Sequence, residues 1–162
     1  EIWLNGSAES PLLYDNMWGG MVSCGCTFDE QKRTCVNSYP ECPALTNPGQ
    51  NFGHGYYNDH HFHYGYHIYA AAVASKFDPD WGKKYFQHVL TLIRDIANPS
   101  KKDLSFHPWR HKDWFLGSSW ASGIANIGGK PYPNGRNQES SSEAVAAYEA
   151  VALYGSAMAS IF

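Results

Sequence analysis

A run of small residues inside a helical period constrains this chain most. Ala70-Ala71-Ala72-Val73-Ala74 lies within a stretch from His60 to Phe77, in which Phe62, Tyr66, Tyr69, Val73 and Phe77 recur at steps of three and four. That period predicts a helix. Because it is small and apolar around most of its circumference, the helix must pack against close neighbours on more than one side. Asp78-Pro79 closes it and opens the next, since Asp caps and Pro suits the first helical position. The second helix is expected over 79–97, with a stripe of Phe86, Val89, Leu90, Ile93, Ile96 and Ala97, and Asn98-Pro99 stops it. A third is expected over 141–161, where Ala144, Ala147, Tyr148, Val151, Gly155, Met158 and Phe162 hold helical spacing.

The rest reads as loop. Residues 23–55 scatter Pro, Asn, Gly and Cys without a period. Residues 99–137 are loop-rich, with a short helix expected near Ser118–Ile124 and a turn cluster over Gly128–Gly135. No strand-like alternation persists, so the expected fold class is all-α, with long loops carrying the unusual residues above a rigid scaffold. A chain that begins at Glu1 and stops in what reads as a helix is expected to be a segment of a longer protein.

Composition narrows the partners. Twelve basic and 15 acidic residues leave a formal charge of -3, which argues against a nucleic-acid binder with its basic footprint. No run approaches the roughly 18 apolar residues of a membrane span. Aromatic content is 15%, with 11 Tyr, 8 Phe and 6 Trp. Rings beyond the needs of a core often line clefts for flat hydroxylated ligands such as sugars, although a Trp-rich core uses them equally well. Cys24, Cys26, Cys35 and Cys42 all fall in one loop stretch. Local disulfides stapling a surface loop are the favoured reading over free thiols or a zinc loop, since paired C-x2-C knuckles are lacking; four cysteines permit three pairings and spacing does not choose.

Three constellations carry candidate chemistry. Tyr56 to His67 gathers four histidines, four tyrosines and Asp59 at a helix start. Asp59 suits a general acid raised by burial among aromatics; Asn58 or Asp59 equally suits a helix N-cap. His63 and His67 are four apart, a metal-ligand spacing, but the His-Glu-x-x-His pattern is missing and no metal is expected. In Asn137-Gln138-Glu139-Ser140-Ser141-Ser142-Glu143, two carboxylates stand four apart with Arg136 as a cationic neighbour. Ser140-x-x-Glu143 matches a capping box, which leaves Glu139 just outside the helix, free to react while Glu143 orients. In Trp109 to Trp120, charges of both signs alternate with indoles, as in a sugar-binding wall or a Trp-anchored loop. An acid, a second carboxylate and stacking surfaces together are the needs of glycoside hydrolysis.

At these residues the chain resembles glycoside hydrolase family 81, the endo-β-1,3-glucanases or laminarinases. The resemblance is carried by the motifs Tyr57-Asn58-Asp59-His60-His61-Phe62-His63-Tyr64-Gly65-Tyr66, Arg110-His111-Lys112-Asp113-Trp114 and Gly135-Arg136-Asn137-Gln138-Glu139-Ser140-Ser141-Ser142-Glu143-Ala144, with Asp15-x-x-Trp18-Gly19-Gly20 similar to a further signature. The resemblance implies an inverting hydrolase whose catalytic domain is an (α/α)6 barrel. Residues 1–162 would be a segment of that barrel, without the family's N-terminal β-sandwich domain. It implies Asp59 as general acid, Glu139 as general base and Glu143 as a second glutamate needed for activity. Tyr57, Asn58, His63, Lys112, Asp113 and Trp114 are the implied substrate-binding residues, and two carboxyls flanking a water are expected roughly 6.5–9.5 Å apart. The implied partner is a β-1,3-glucan, with no cofactor, no nucleic acid and no membrane span. A monomer is expected, extracellular or associated with a cell wall. The Cys24–Cys42 insert departs from the usual family connection. A non-catalytic β-glucan receptor on the same scaffold is the alternative.

Overall fold

The computed structural model describes residues 1–124, 126–127, 130–131 and 137–161; for 126–127 and 130–131 it describes the backbone alone. The expected turn cluster over 128–135 is largely, and Arg136 entirely, outside the described residues. The chain order is β1 Leu12–Asp15, β2 Gly20–Ser23, β3 Phe28–Asp29, β4 Thr34–Cys35, α1 Pro43–Thr46, α2 Gln50–Gly53, a 3-10 turn His54–Tyr56, α3 His60–Phe77, α4 Pro79–Ala97, β5 Asn126–Ile127, β6 Lys130–Pro131 and α5 Ser141–Ala159.

The fold is mostly α, and the three long helices stand where their local signals put them. Asp78 ends α3, donating its backbone N–H to Ala74 O at 2.8 Å, and its side chain caps α4 by accepting from the Trp81 N–H at 3.0 Å. One aspartate therefore serves both helix ends, and α3 and α4 follow each other without a loop. The strands are an addition to the all-α expectation. Among the described residues they form three antiparallel pairs, of which β1–β2 is the longest, with Leu12 opposite Ser23 and Asp15 opposite Gly20. Its turn closes on Asp15, whose carboxylate accepts from the Met17 N–H at 2.8 Å, and Gly19 supplies the positive φ of 63° that the turn needs. The segment Ser118–Ile124 is turn and extended chain instead of a short helix.

Helix α3 lies between α4 and α5, and the main core forms there. Tyr64, Ile68, Ala71 and Ala72 of α3 meet Tyr85, Val89, Leu92 and Ile96 of α4 and Ala150, Tyr154 and Met158 of α5. The buried face of α3 is not the stripe that periodicity picks out. Tyr66 is 63% exposed and Phe77 80%, and Tyr69 and Val73 also face outward; of that stripe only Phe62 is buried. Both faces of α3 are apolar, so period alone cannot rank them. In α4, Val89, Ile96 and Ala97 are buried as expected, joined by Tyr85 and Leu92. Gly65 explains how α3 and α5 come so close: a Cβ there would sit 2.8 Å from both Cα and Cβ of Ala147.

The loop 23–55 is stapled as expected, by nested disulfides Cys24–Cys42 and Cys26–Cys35. The outer bridge spans 18 residues, for which loop-closure arguments give a stabilisation of roughly 3 kcal/mol. It fixes the strand β2 to the segment that leads into α3: Ala44 N–H donates to Cys24 O at 3.1 Å and Ser23 N–H to His54 Nδ1 at 3.1 Å.

The close approach of α3 and α5 gives a direct test. Gly65→Val forces a branched side chain onto the Ala147 backbone, and overpacking of this kind costs about 1–3 kcal/mol. A lowered urea midpoint is expected; an unchanged midpoint would mean that the two helices are not in contact there.

Candidate active site

The entrance to α3 is held in an uncommon backbone conformation. Tyr57 and Asp59 have φ of 63° and 58°, left-handed values that disfavour side chains larger than glycine's. Each such residue carries strain of roughly 1–3 kcal/mol, and such strain gathers at functional sites. Asp59 occupies the N-cap position of α3, but its side chain makes no capping bond. The capping alternative is thereby set aside. Its Oδ2 accepts from Asn58 Nδ2 at 2.9 Å, while Oδ1 is buried without a hydrogen-bond partner among the described residues.

The entrance to α5 mirrors this. Ser140 is the N-cap and its hydroxyl accepts from the Glu143 N–H at 3.3 Å. The reciprocal half of the capping box is not formed: Ser140 N–H donates to Gln138 O at 2.7 Å, and Glu143 Oε1 accepts from the Tyr66 hydroxyl at 3.3 Å. Glu139 stands one residue before the cap, exposed and again left-handed at φ 60°.

One short segment joins the two entrances. Asp59 N–H donates to Ala121 O at 2.7 Å, and Ala121 N–H donates to Asn137 O at 2.9 Å. Ser119 N–H adds a bond to Gln138 Oε1 at 3.1 Å. The loops bearing Asp59 and Glu139 are thus both bonded to residues 119–121, close enough for Glu139 to raise the Asp59 pKa. A neighbouring negative charge disfavours ionisation of a carboxyl, as does burial. Burial first, then the Glu139 charge and hydrogen bond and the Glu143 charge, push the Asp59 carboxyl up from 3.8 to about 6, against the opposing pull of His60.

The other expected residues divide. Asn58 belongs to the site, since its Nδ2 bridges Phe52 O at 2.8 Å and the Asp59 carboxyl. His63 lies near, its ring beside those of His54 at 5.7 Å and Phe52 at 6.2 Å; burial and then the His60 charge hold its pKa below the ordinary value. Its Nε2 is buried and has no hydrogen-bond partner among the described residues. Trp114 is 48% exposed and lines a surface groove with Trp109, Phe115, Trp120 and Asp113, its indole N–H anchored on Asn98 O at 3.1 Å. Asp113 closes the turn beneath that groove by accepting from the Phe115 and Leu116 N–H groups, both at 2.9 Å. Lys112 donates to Gly117 O at 2.7 Å and lies 4.5 Å over the Tyr148 ring. Tyr57 requires a correction: it is 0% exposed, and its hydroxyl donates inward to Asp15 Oδ2 at 3.0 Å. It is a buried strut and presents no face to a ligand.

Sequence reasoning missed the layer underneath. His60, Asp95 and His111, all buried, bring three donor atoms within 4.8 Å of one another. A metal reading fits poorly, because Arg110 already places its cation 3.8 Å from Asp95 Oδ1 and both His60 nitrogens have protein partners. A signal existed: Asp95 falls between Leu92 and Ile96 on the buried stripe of α4, where a carboxylate has no place without partners.

Comparison with known proteins identifies the family. Residues 1–160 match the glycosyl hydrolase family 81 C-terminal domain. The chain belongs to glycosyl hydrolase family 81. A glucan endo-1,3-beta-D-glucosidase from Glycine max is 38% identical over 157 residues, covering 96% of this chain and 20% of the relative. One from Acetivibrio thermocellus is 46% identical, covering 94% of this chain and 16% of the relative. Among solved structures, a mutant glycoside hydrolase family 81 protein from Clostridium thermocellum aligns with a TM-score of 0.64 at 35% identity, covering 91% of this chain and 17% of its own. The chain thus spans a fifth or less of each of these family 81 relatives.

The raised Asp59 carboxyl makes a prediction about stability. An acid whose folded pKa lies above its unfolded value contributes most below the unfolded pKa, here 3.8, and that contribution is lost as pH rises through about 6. Asp59→Asn removes the penalty. Discounted for partial exposure, it should make the protein more stable than wild type at pH 8 by about 1–2 kcal/mol, and not at pH 3. Thermal midpoints at the two pH values measure this, and equal shifts at both would contradict the assignment.

Proposed function

We propose that the complete protein hydrolyses internal β-1,3-glucan linkages of the laminarin type, with Asp59 as general acid, Glu139 as general base and Glu143 as supporting carboxylate. The observation that carries this reading is that residues 119–121 join the strained turns bearing Asp59 and Glu139, with the Asp59 carboxyl raised to about 6 by burial first and by the Glu139 and Glu143 charges. A general acid works best when its pKa lies near the operating pH. The names of the relatives, glucan endo-1,3-beta-D-glucosidases, support the substrate class.

The step is a single displacement. Asp59 gives its proton to the glycosidic oxygen as the C1–O bond breaks. Glu139 takes a proton from a water whose oxygen forms the new bond to C1 from the opposite face. That water needs a gap of roughly 6.5–9.5 Å between the carboxyls. Glu139 is exposed, and rotation about its flexible side chain opens that gap once substrate enters. Glu143 holds the Tyr66 hydroxyl and adds negative charge that keeps Asp59 protonated.

The wall beyond the carboxyls suits sugar stacking. The segment 118–120 pairs with 111–113 through Asp113 N–H to Ser118 O at 2.9 Å and Trp120 N–H to His111 O at 2.8 Å, so Trp120 of the indole groove directly precedes Ala121, whose carbonyl accepts the Asp59 N–H. Asn58, His63, Lys112, Asp113 and Trp114 form the substrate-binding set in this reading. Helices α3, α4 and α5 would be part of an (α/α)6 barrel, with the family's β-sandwich domain outside this segment. A relative named for the primary septum supports an extracellular or cell-wall setting, and the protein acts as a monomer in this reading.

In the complete protein, Asp59→Asn or Glu139→Gln should lower laminarin turnover by roughly 100- to 10,000-fold with the fold intact. Proton NMR of early products should show the α-anomer first; the β-anomer first would sink the inverting step. Laminarin binding without reducing-end release in wild type would instead favour a receptor. Trp114→Ala should raise KM by roughly 2- to 10-fold, the loss of one stacking contact, and an unchanged KM would remove Trp114 from the set.

A further inference from the structure

The residue after the acid, His60, is enclosed by acceptors. Its Nδ1 lies 2.7 Å from Asp95 Oδ2 and its Nε2 lies 2.9 Å from the carbonyl oxygen of His54. A carbonyl oxygen only accepts, so Nε2 carries hydrogen. Asp95 already accepts the Met21 N–H at 2.8 Å on Oδ1, with the Arg110 guanidinium 3.8 Å away. Both favour its ionised form, so Nδ1 carries hydrogen too. His60 is thus wholly buried, with acceptors at both ring nitrogens, one of them a wholly buried carboxylate.

We propose that Asp95 and His60 are a positioning pair for Asp59: the carboxylate on α4 holds His60 as a fixed cation one residue from the acid, and so sets both the geometry of the strained turn and the charge that the Asp59 carboxyl faces.

The geometry supports both halves. Asp59 keeps its left-handed φ only if the next residue cannot relax, and His60 is tied at both ring nitrogens to elements on either side, α4 and the 3-10 turn. The charge is isolated. The neighbouring rings of His54 at 4.2 Å and His111 at 5.3 Å belong to histidines held well below their ordinary pKa, by burial first and by the His60 charge second. Tyr57 at 4.8 Å and Tyr64 at 5.0 Å stay protonated, raised chiefly by burial. Among the described residues acting on Asp59, Glu139 and Glu143 are of negative sign and His60 supplies the opposing sign.

This inference rests on Asp59 being the acid. In the complete protein, Asp95→Asn leaves an oxygen for the Met21 N–H but removes the anion, and the buried imidazole then gives up its extra proton. Asp59 loses its cation and holds its own proton longer. The basic limb of the pH–rate profile should move to higher pH by roughly half a unit or more. Turnover should fall roughly tenfold with KM within about threefold. His60→Gln should move the limb in the same direction, and a variant with only a structural defect would lose active protein without moving it. An unmoved limb in either folded variant overturns the proposal. Imidazole 15N resonances of wild type provide an arm that needs no variant: both His60 nitrogens should be protonated through the active pH range, and a neutral His60 overturns the pairing. Absence of laminarin cleavage by wild type would sink the functional reading alone, because the resonance measurement still decides the state of His60.

Discussion

The structure turns on a buried carboxylate. Asp95 is 2% exposed, and an ion taken from water into a protein interior costs several kcal/mol unless partners surround it. Its partners come from separate parts of the chain: the Met21 N–H from β2, the His60 ring from the start of α3, and the Arg110 guanidinium from the segment after α4. Arg110 in turn donates to the carbonyls of Trp18 and Gly19 and lies 4.0 Å over the Tyr57 ring. Gly20 closes the cluster, since a Cβ there would fall 2.4–2.5 Å from Tyr57, Arg110 and Asp95 at once. The Asp-x-x-Trp-Gly-Gly signature is thus a packing device: Asp15 receives the Tyr57 hydroxyl and Gly20 makes room for the ion cluster.

Above that floor the reactive layer is strained. Tyr57, Asp59 and Glu139 are all left-handed without being glycine, and both proposed catalytic carboxylates are among them. What holds them is a set of short links, each made by a neighbour already fixed. The disulfide-stapled loop fixes His54, His54 receives His60, and Ala121 bonds both Asp59 and Asn137. Gly123 shows how tight this is, because a Cβ there would lie 2.2 Å from Tyr57 O. Strain of this kind aims a side chain: a helix N-cap in its ordinary conformation would have turned the Asp59 carboxyl back onto its own amides.

The pair of carboxyls then behaves as one unit. Burial first and then the Glu139 charge push Asp59 upward, and Glu143 reinforces the effect from the first turn of α5. The Tyr66 hydroxyl that Glu143 accepts comes from the outer face of α3, so the two helices are linked by side chains at the site as well as by the Gly65–Ala147 contact below it. The family 81 architecture thus uses helix packing to bring two helix starts together and the connecting segment to join them.

Much was legible in the residues themselves. The bounds of α3 and α4 follow from Asp78, Pro79, Asn98 and the helical period, and the N-cap of α5 from Ser140, because caps and prolines act within a few residues of where they stand. The three motifs that carry the carboxylates and the indoles were visible as composition. Tertiary contacts decided the rest. Which face of α3 is buried depends on neighbours, as both faces are apolar. The pairing Cys24–Cys42 and Cys26–Cys35 depends on how the loop folds, not on spacing. Tyr57 turned inward because Asp15, 42 residues away, offers its hydroxyl an acceptor. The joining of the Asp59 and Glu139 loops through Ala121 and the burial of Asp95 among His60 and Arg110 arise between segments far apart in the chain, and no local pattern encodes a distance of that kind.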